Sequence, residues 1–134
     1  MSNNIYPKWK EALWNQSANS NAASGVVKVA LVDTDVRGYV STDEFYSAMS
    51  AAVVGTPQVI DTKTFVNGVF DGDNVVFPAI SGAVCEALLF FVDTGTPSTS
   101  RLIAFIDTNV TTLPVIPNGG DIIVVFNASG ILAL

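Results

Sequence analysis

Runs of apolar positions along this chain are short and mostly β-like, and only two stretches carry helical spacing. The first lies near the N-terminus. Tyr6, Trp9 and Leu13 fall at i, i+3 and i+7 on one helical face, and Trp14 widens that stripe while Lys8 and Lys10 point elsewhere. Pro7 occupies the favoured first helical position with Asn4 nearby as a cap, so the pattern predicts a short helix over 7–14. Asn15 to Gly25 is then Asn, Gln, Ser, Ala and Gly only, the composition of an exposed linker. The expected organisation is a helix and flexible arm over 1–25 and a β-domain over 26–134.

Val26 to Val32 is rich in β-branched residues and reads as a strand, with turn chemistry behind it in Asp33-Thr34-Asp35 and Arg37-Gly38. Ser41-Thr42-Asp43-Glu44 has the form of a capping box, followed by Phe45, Ala48 and Met49 at helical spacing, so a second helix of about two turns is predicted. After Gly55 and Pro57 the pattern is β: Val59 to Asp61, Lys63 to Val66, Val69 to Phe70, Val75 to Phe77, Ala83 to Val92, Leu102 to Asp107, Asp121 to Asn127 and Ile131 to Leu134. Turns are marked by Asn67-Gly68, Asp71-Gly72, Pro78, Thr94 to Pro97, Pro114 to Gly120 and Ser129-Gly130. The predicted fold is mainly β, a single-domain sandwich or barrel, jelly-roll-like in one form, with the two short helices added. Ala83 to Val92 and Leu102 to Asp107 are expected to form its central hairpin across the polar segment Asp93 to Arg101.

Composition changes this picture in one respect. Charged residues are 13% of the 134, against about 25% in an average soluble domain, so too few exist to cover the surface of so short a chain. Some apolar surface is therefore expected to face another protein, and the aromatic stripe Tyr6, Trp9, Leu13 and Trp14 is the candidate contact. The competing expectation is that this helix covers an open end of its own sandwich. The net charge of −6 gives no footprint for nucleic acid or an anionic membrane, and neither is an expected partner. The longest apolar run, Ala87 to Val92, is six residues, where a spanning helix needs about 20. The first residues lack the basic start and apolar run of a secretory signal, so no cleaved leader is expected.

Chemistry is sparse. With no histidine, this chain builds no Ser-His-Asp or Cys-His unit and no His-ligated zinc site. The lone Cys85 sits in an apolar run and reads as a buried, inert thiol, with no internal disulfide open to it. Asp71-Gly72-Asp73-Asn74 begins like a calcium loop but continues with Val75 and lacks the closing Glu, so it reads as a hairpin turn. Asp33, Asp35, Asp71, Asp73, Asp93, Asp107 and Asp121 lie at strand ends or in turns, where aspartate bonds the local backbone. Glu86 interrupts an apolar strand and is expected to point outward. No catalytic residue, cofactor or metal is predicted.

Several stretches in succession carry a resemblance: Val27-Lys28-Val29-Ala30-Leu31-Val32-Asp33 after a short helix, Asp43-Glu44-Phe45-Tyr46-Ser47, Val69-Phe70-Asp71-Gly72-Asp73-Asn74-Val75-Val76-Phe77, Asp93-Thr94-Gly95, Leu102-Ile103-Ala104-Phe105-Ile106-Asp107, and Phe126 to Leu134. Together they resemble small virion structural proteins of tailed bacteriophages. The resemblance implies a β-rich, non-enzymatic domain present in many copies in the particle. A capsid cement or decoration protein is expected, located in the virion and partnered by the major capsid protein and by other copies of itself. A neck or tail component is the alternative, and a carbohydrate-binding β-domain a third reading from another class.

Overall fold

The two long apolar segments pair with each other as the sequence predicts: in the computed structural model β7 (Ala87–Asp93) and β8 (Leu102–Ile106) form an antiparallel hairpin at the centre of the main sheet. The structure describes residues 4–108, 110 and 112–134. The remaining elements, in chain order, are β1 (Asn4–Ile5), α1 (Pro7–Trp14), β2 (Val26–Val32), β3 (Val53–Val59), β4 (Thr64–Val66), β5 (Val69–Asp71), β6 (Val75–Phe77), β9 (Ile122–Val124) and β10 (Leu132–Ala133). They make a mainly β fold of three open antiparallel sheets, ordered β1-β8-β7-β2-β3, β10-β5-β4 and β6-β9.

Strands β7 and β8 are continuous apolar runs, not alternating ones, because the large sheet is covered on both faces. On one face Leu88, Phe90 and Ile106 meet Val110, Phe126 and Ile131. On the other, Phe105 packs on Tyr39, which in turn packs on Tyr6. Burying such side chains, at roughly 1.5–3 kcal/mol each, is the main source of stability.

Four expectations need correction. The first 25 residues are not a separate arm: β1 pairs with β8, the Tyr6 N–H donates to Ile103 O, and Tyr6, Trp9 and Ala22 belong to the same core as the strands. The Asn15 to Gly25 segment is pinned by donors from distant positions: Trp9 Nε1 to Ser20 O at 2.9 Å, Arg101 Nε to Ala18 O at 2.7 Å, and Lys63 Nζ to the carbonyls of Ala22 and Gly25. The second helix is replaced by two 3-10 turns, Tyr46–Ala48 and Ser50–Ala52. Its capping box does not close because Glu44 pairs with Arg101 at 2.9 Å, and the Tyr46 and Ser47 N–H groups donate to Ser100 O and Pro97 O.

The last correction concerns Asp71-Gly72-Asp73-Asn74, which is no hairpin turn. It carries the chain from β5 to β6, which lie in different sheets. β3 is an addition: it runs through Gly55 and Pro57, and it is an edge strand with a bulge opposite β2, a position that tolerates proline.

An ion pair marks one end of the main sheet, where Lys28 Nζ lies 2.9 Å from Asp93 Oδ2. Burial raises the Asp93 pKa, but the Lys28 hydrogen bond, the Gly95 N–H and the Lys28 charge outweigh it and hold the carboxyl below its ordinary value. A lowered folded-state pKa adds stability that is present above the unfolded value and is lost as pH falls through the folded one. Asp93→Asn is thus expected to cost about 0.5–1 kcal/mol at pH 7. In urea unfolding, the difference from the parent should fade below about pH 5 and vanish once the pH is under the folded-state pKa.

Candidate interaction surface

Helix α1 carries two tryptophans with opposite placements. Trp9 is 4% exposed and Tyr6 is fully buried, whereas Trp14 is 89% exposed. Pro7 starts the helix and Asn15 ends it, and five residues from Trp9 to Trp14 turn the side chain from the inner face to the outer one. Of the four residues expected to anchor a neighbouring chain, Tyr6 and Trp9 are therefore corrected to core residues. Leu13 is partly buried at the boundary, and Trp14 alone points fully into solvent.

Around Trp14 the structure assembles more apolar surface than the sequence suggests. A groove of about 990 Å³ opens between α1, the 16–26 segment and the three-stranded sheet, lined by Trp9, Leu13, Phe65, Val92 and Leu134 among others. A depression of about 400 Å³ adjoins it through Leu13 and Leu134, and there Ile5, Lys10, Trp14 and Ala133 complete the lining. Phe65, 44% exposed, stacks on the buried Phe70 with ring centroids 5.0 Å apart, and Leu134 is 66% exposed. Lys10 at the rim is the one basic side chain among the described residues without an ion pair or hydrogen bond in the structure.

A second apolar face lies on the two-stranded sheet. Val76 and Ile123 are direct cross-strand partners and both are exposed, as is Val125 two residues on. The alternation of β6 (buried, exposed, buried) and β9 (the same) puts Val75, Phe77, Ile122 and Val124 inside and this apolar pair outside.

The carboxylates are brought together in ways that spacing along the chain could not reveal. Asp33, Asp35 and Glu86 offer oxygens that lie within 4.8 Å of one another. Glu86 Oε1 accepts the Thr34 N–H at 3.1 Å and Asp33 Oδ1 the Asp35 N–H at 3.0 Å, so local backbone bonds hold the cluster. Next to it, a cavity of about 390 Å³ is lined by Tyr39, Phe105, Leu113 and Pro114 with Glu86 and Asp107. Glu86 thus leans over the loop at Thr34 and is only half-exposed, not directed outward as expected. Cys85 is fully buried, and burial, with the charges of Glu86 and Asp33, pushes its thiol up to about 11, which leaves little nucleophilic thiolate at neutral pH.

Among the described residues no helix is long and apolar enough to cross a membrane. No protein-family model matches the chain, and no curated protein matches it.

Proposed function

We propose that this chain is a non-enzymatic structural protein of a tailed-phage virion, seated on the assembled shell as a cement or decoration subunit. The observation that supports it is the exposure of large apolar side chains in two separate places, around Trp14 and on Val76 and Ile123, in a chain with 13% charged residues. Scattered apolar residues are ordinary on a surface, but contiguous ones beside a groove mark a protein contact. The second exposed pair, Val76 and Ile123, suits a subunit gripped from more than one side.

The mechanism is linkage. A protein that binds the assembled shell, and not its separated subunits, shifts the equilibrium toward the shell in proportion to occupancy. Trp14 is the anchor this requires: a large amphipathic ring held on a rigid helix, losing little freedom when it seats on a neighbour. The shell partner is the major capsid protein, and the acidic remainder of the surface keeps the decorated particle soluble. The chain belongs in the virion capsid on this reading. A place in the neck or tail would use the same contacts.

Carbohydrate binding is the second reading, and the Tyr39 cavity with Glu86 and Asp107 is what favours it. It is the weaker one, because Phe105, the other ring there, is 1% exposed and offers a sugar no open face.

Co-sedimentation of the purified chain with assembled shells tests the proposal. Trp14→Ala is expected to keep the fold and to weaken shell binding by about 2 kcal/mol, roughly thirtyfold. Undiminished binding by Trp14→Ala would move the contact elsewhere, and a parent chain that stays in the supernatant would remove the capsid reading.

A further inference from the structure

We infer that β4 is a self-pairing edge, through which a second copy of this chain adds to the three-stranded sheet in antiparallel register centred on Phe65. This goes beyond shell binding and is testable without a shell, so the two readings fail separately.

Exposed edges invite pairing unless something blunts them, and the edges of this molecule differ in that respect. β1 is two residues long and runs straight into Pro7, β10 is also only two residues, and β6 runs straight into Pro78. β3 contains Gly55 and Pro57 and bulges. In β9 the Ile123 carbonyl already accepts the Thr112 hydroxyl at 2.9 Å. β4 is Thr-Phe-Val, with strong β preference, no proline and no charge, and all three residues are exposed.

The register follows from the turn. Asn67 and Gly68 have φ of 53° and 76°, the signature of a two-residue type I′ hairpin joining β4 to β5, with Val66 opposite Val69. In that arrangement Val66 exchanges hydrogen bonds with Val69, and the next residue, Phe65, turns its N–H and C=O away from β5 toward the free edge. One donor and one acceptor on a single residue are satisfied reciprocally by the same residue of a second copy across a twofold axis.

Charge leaves this register open to a second copy. Two copies at −6 each repel over most of their surfaces. In this register Thr64 faces Val66 of the second copy and Lys63 faces Asn67, so no carboxylate meets a carboxylate. The Lys63 ammonium is held inward by the carbonyls of Ala22 and Gly25.

Area sets the strength. A standard interface takes about 800 Å² from each partner, roughly an eighth of the 6731 Å² here. A three-residue edge with Phe65 and the 63%-exposed Val66 beside it falls short of that. The dimer is therefore weak and concentration-dependent in solution, and strengthens where copies are held close together.

Sedimentation velocity across a concentration series, paired with hydrogen–deuterium exchange at the Phe65 amide, decides the matter. The expected result is a reversible dimer whose formation slows exchange at Phe65 and leaves Val76 unaffected. Phe65→Pro, which removes the outward N–H, should weaken the dimer about ten- to a hundredfold. Phe65→Lys should weaken it too, which keeps the test decisive if the proline variant does not fold. A chain that stays monomeric to the highest soluble concentration, a dimer with an unprotected Phe65 amide, or protection at Phe65 that arises only on binding another protein would each overturn the inference.

Discussion

Replacing Trp9 by alanine is expected to cost about 3–5 kcal/mol of folding stability, while Trp14→Ala, on the same helix, should change it by less than about 0.5 kcal/mol. Trp9 is buried between α1 and the sheets, and its indole N–H is the donor that holds the Ser20 carbonyl at 2.9 Å. Truncation therefore leaves a cavity and also frees a buried acceptor in the segment that covers it. Trp14 is exposed and loses only surface contacts. Urea unfolding followed by far-ultraviolet circular dichroism checks both variants. Removal of residues 1 to 14 should be more severe than Trp9→Ala, since Tyr6 and the β1 pairing go with it. Equal stabilities for the two alanine variants would mean that α1 is not part of the core.

Gly130→Ala should destabilise by about 2–4 kcal/mol and deform the groove as well. Gly130 has φ of +121°, a region that residues with a Cβ rarely enter, and an added Cβ would lie 2.3 Å from Val69 Cγ1. The adjacent Ile131 N–H donates to Phe70 O at 2.7 Å and leads the chain into β10, so the strain falls where that strand is attached to β5. Relief requires β10 to move, and Leu134 with it, which changes the lining of the groove. The expected signature is a lower unfolding midpoint together with weakened shell binding. Gly95→Ala is the control: it also has positive φ, but open space surrounds it, so only the backbone penalty of about 1 kcal/mol applies. Equal costs for the two substitutions would show that the Val69 contact does not matter.

The sequence made the local features legible. Helix α1 has the predicted bounds because Pro7 and the apolar spacing act within a few residues, and the Asn67-Gly68 hairpin follows from backbone preference alone. The β7–β8 hairpin was equally plain, since a single polar segment, Asp93 to Arg101, joins the two long apolar runs. What composition could not show was decided by long-range partners. Asn15 to Gly25 looks like a linker until Arg101, Lys63 and Trp9 donate into it, and Ser41 to Glu44 looks like a helix start until Arg101 takes the glutamate.

The candidate surface was half legible for the same reason. Leu13 and Trp14 lie where the amphipathic stripe placed them, but a stripe does not say which of its residues the chain's own core will claim, and Tyr6 and Trp9 were claimed. Phe65 and Leu134 join the groove only because β10 pairs with β5 across more than sixty residues of chain. The Asp33, Asp35 and Glu86 cluster likewise depends on where the strand after Cys85 passes the Thr34 loop.

The proposed role is tested most directly by imaging particles of the phage that encodes this chain with cryo-electron microscopy and fitting the fold into the density. The account predicts a copy at each equivalent position of the capsid lattice, with the Trp14 end of α1 against the major capsid protein. Density confined to the neck or tail, or particles without this chain, would contradict it.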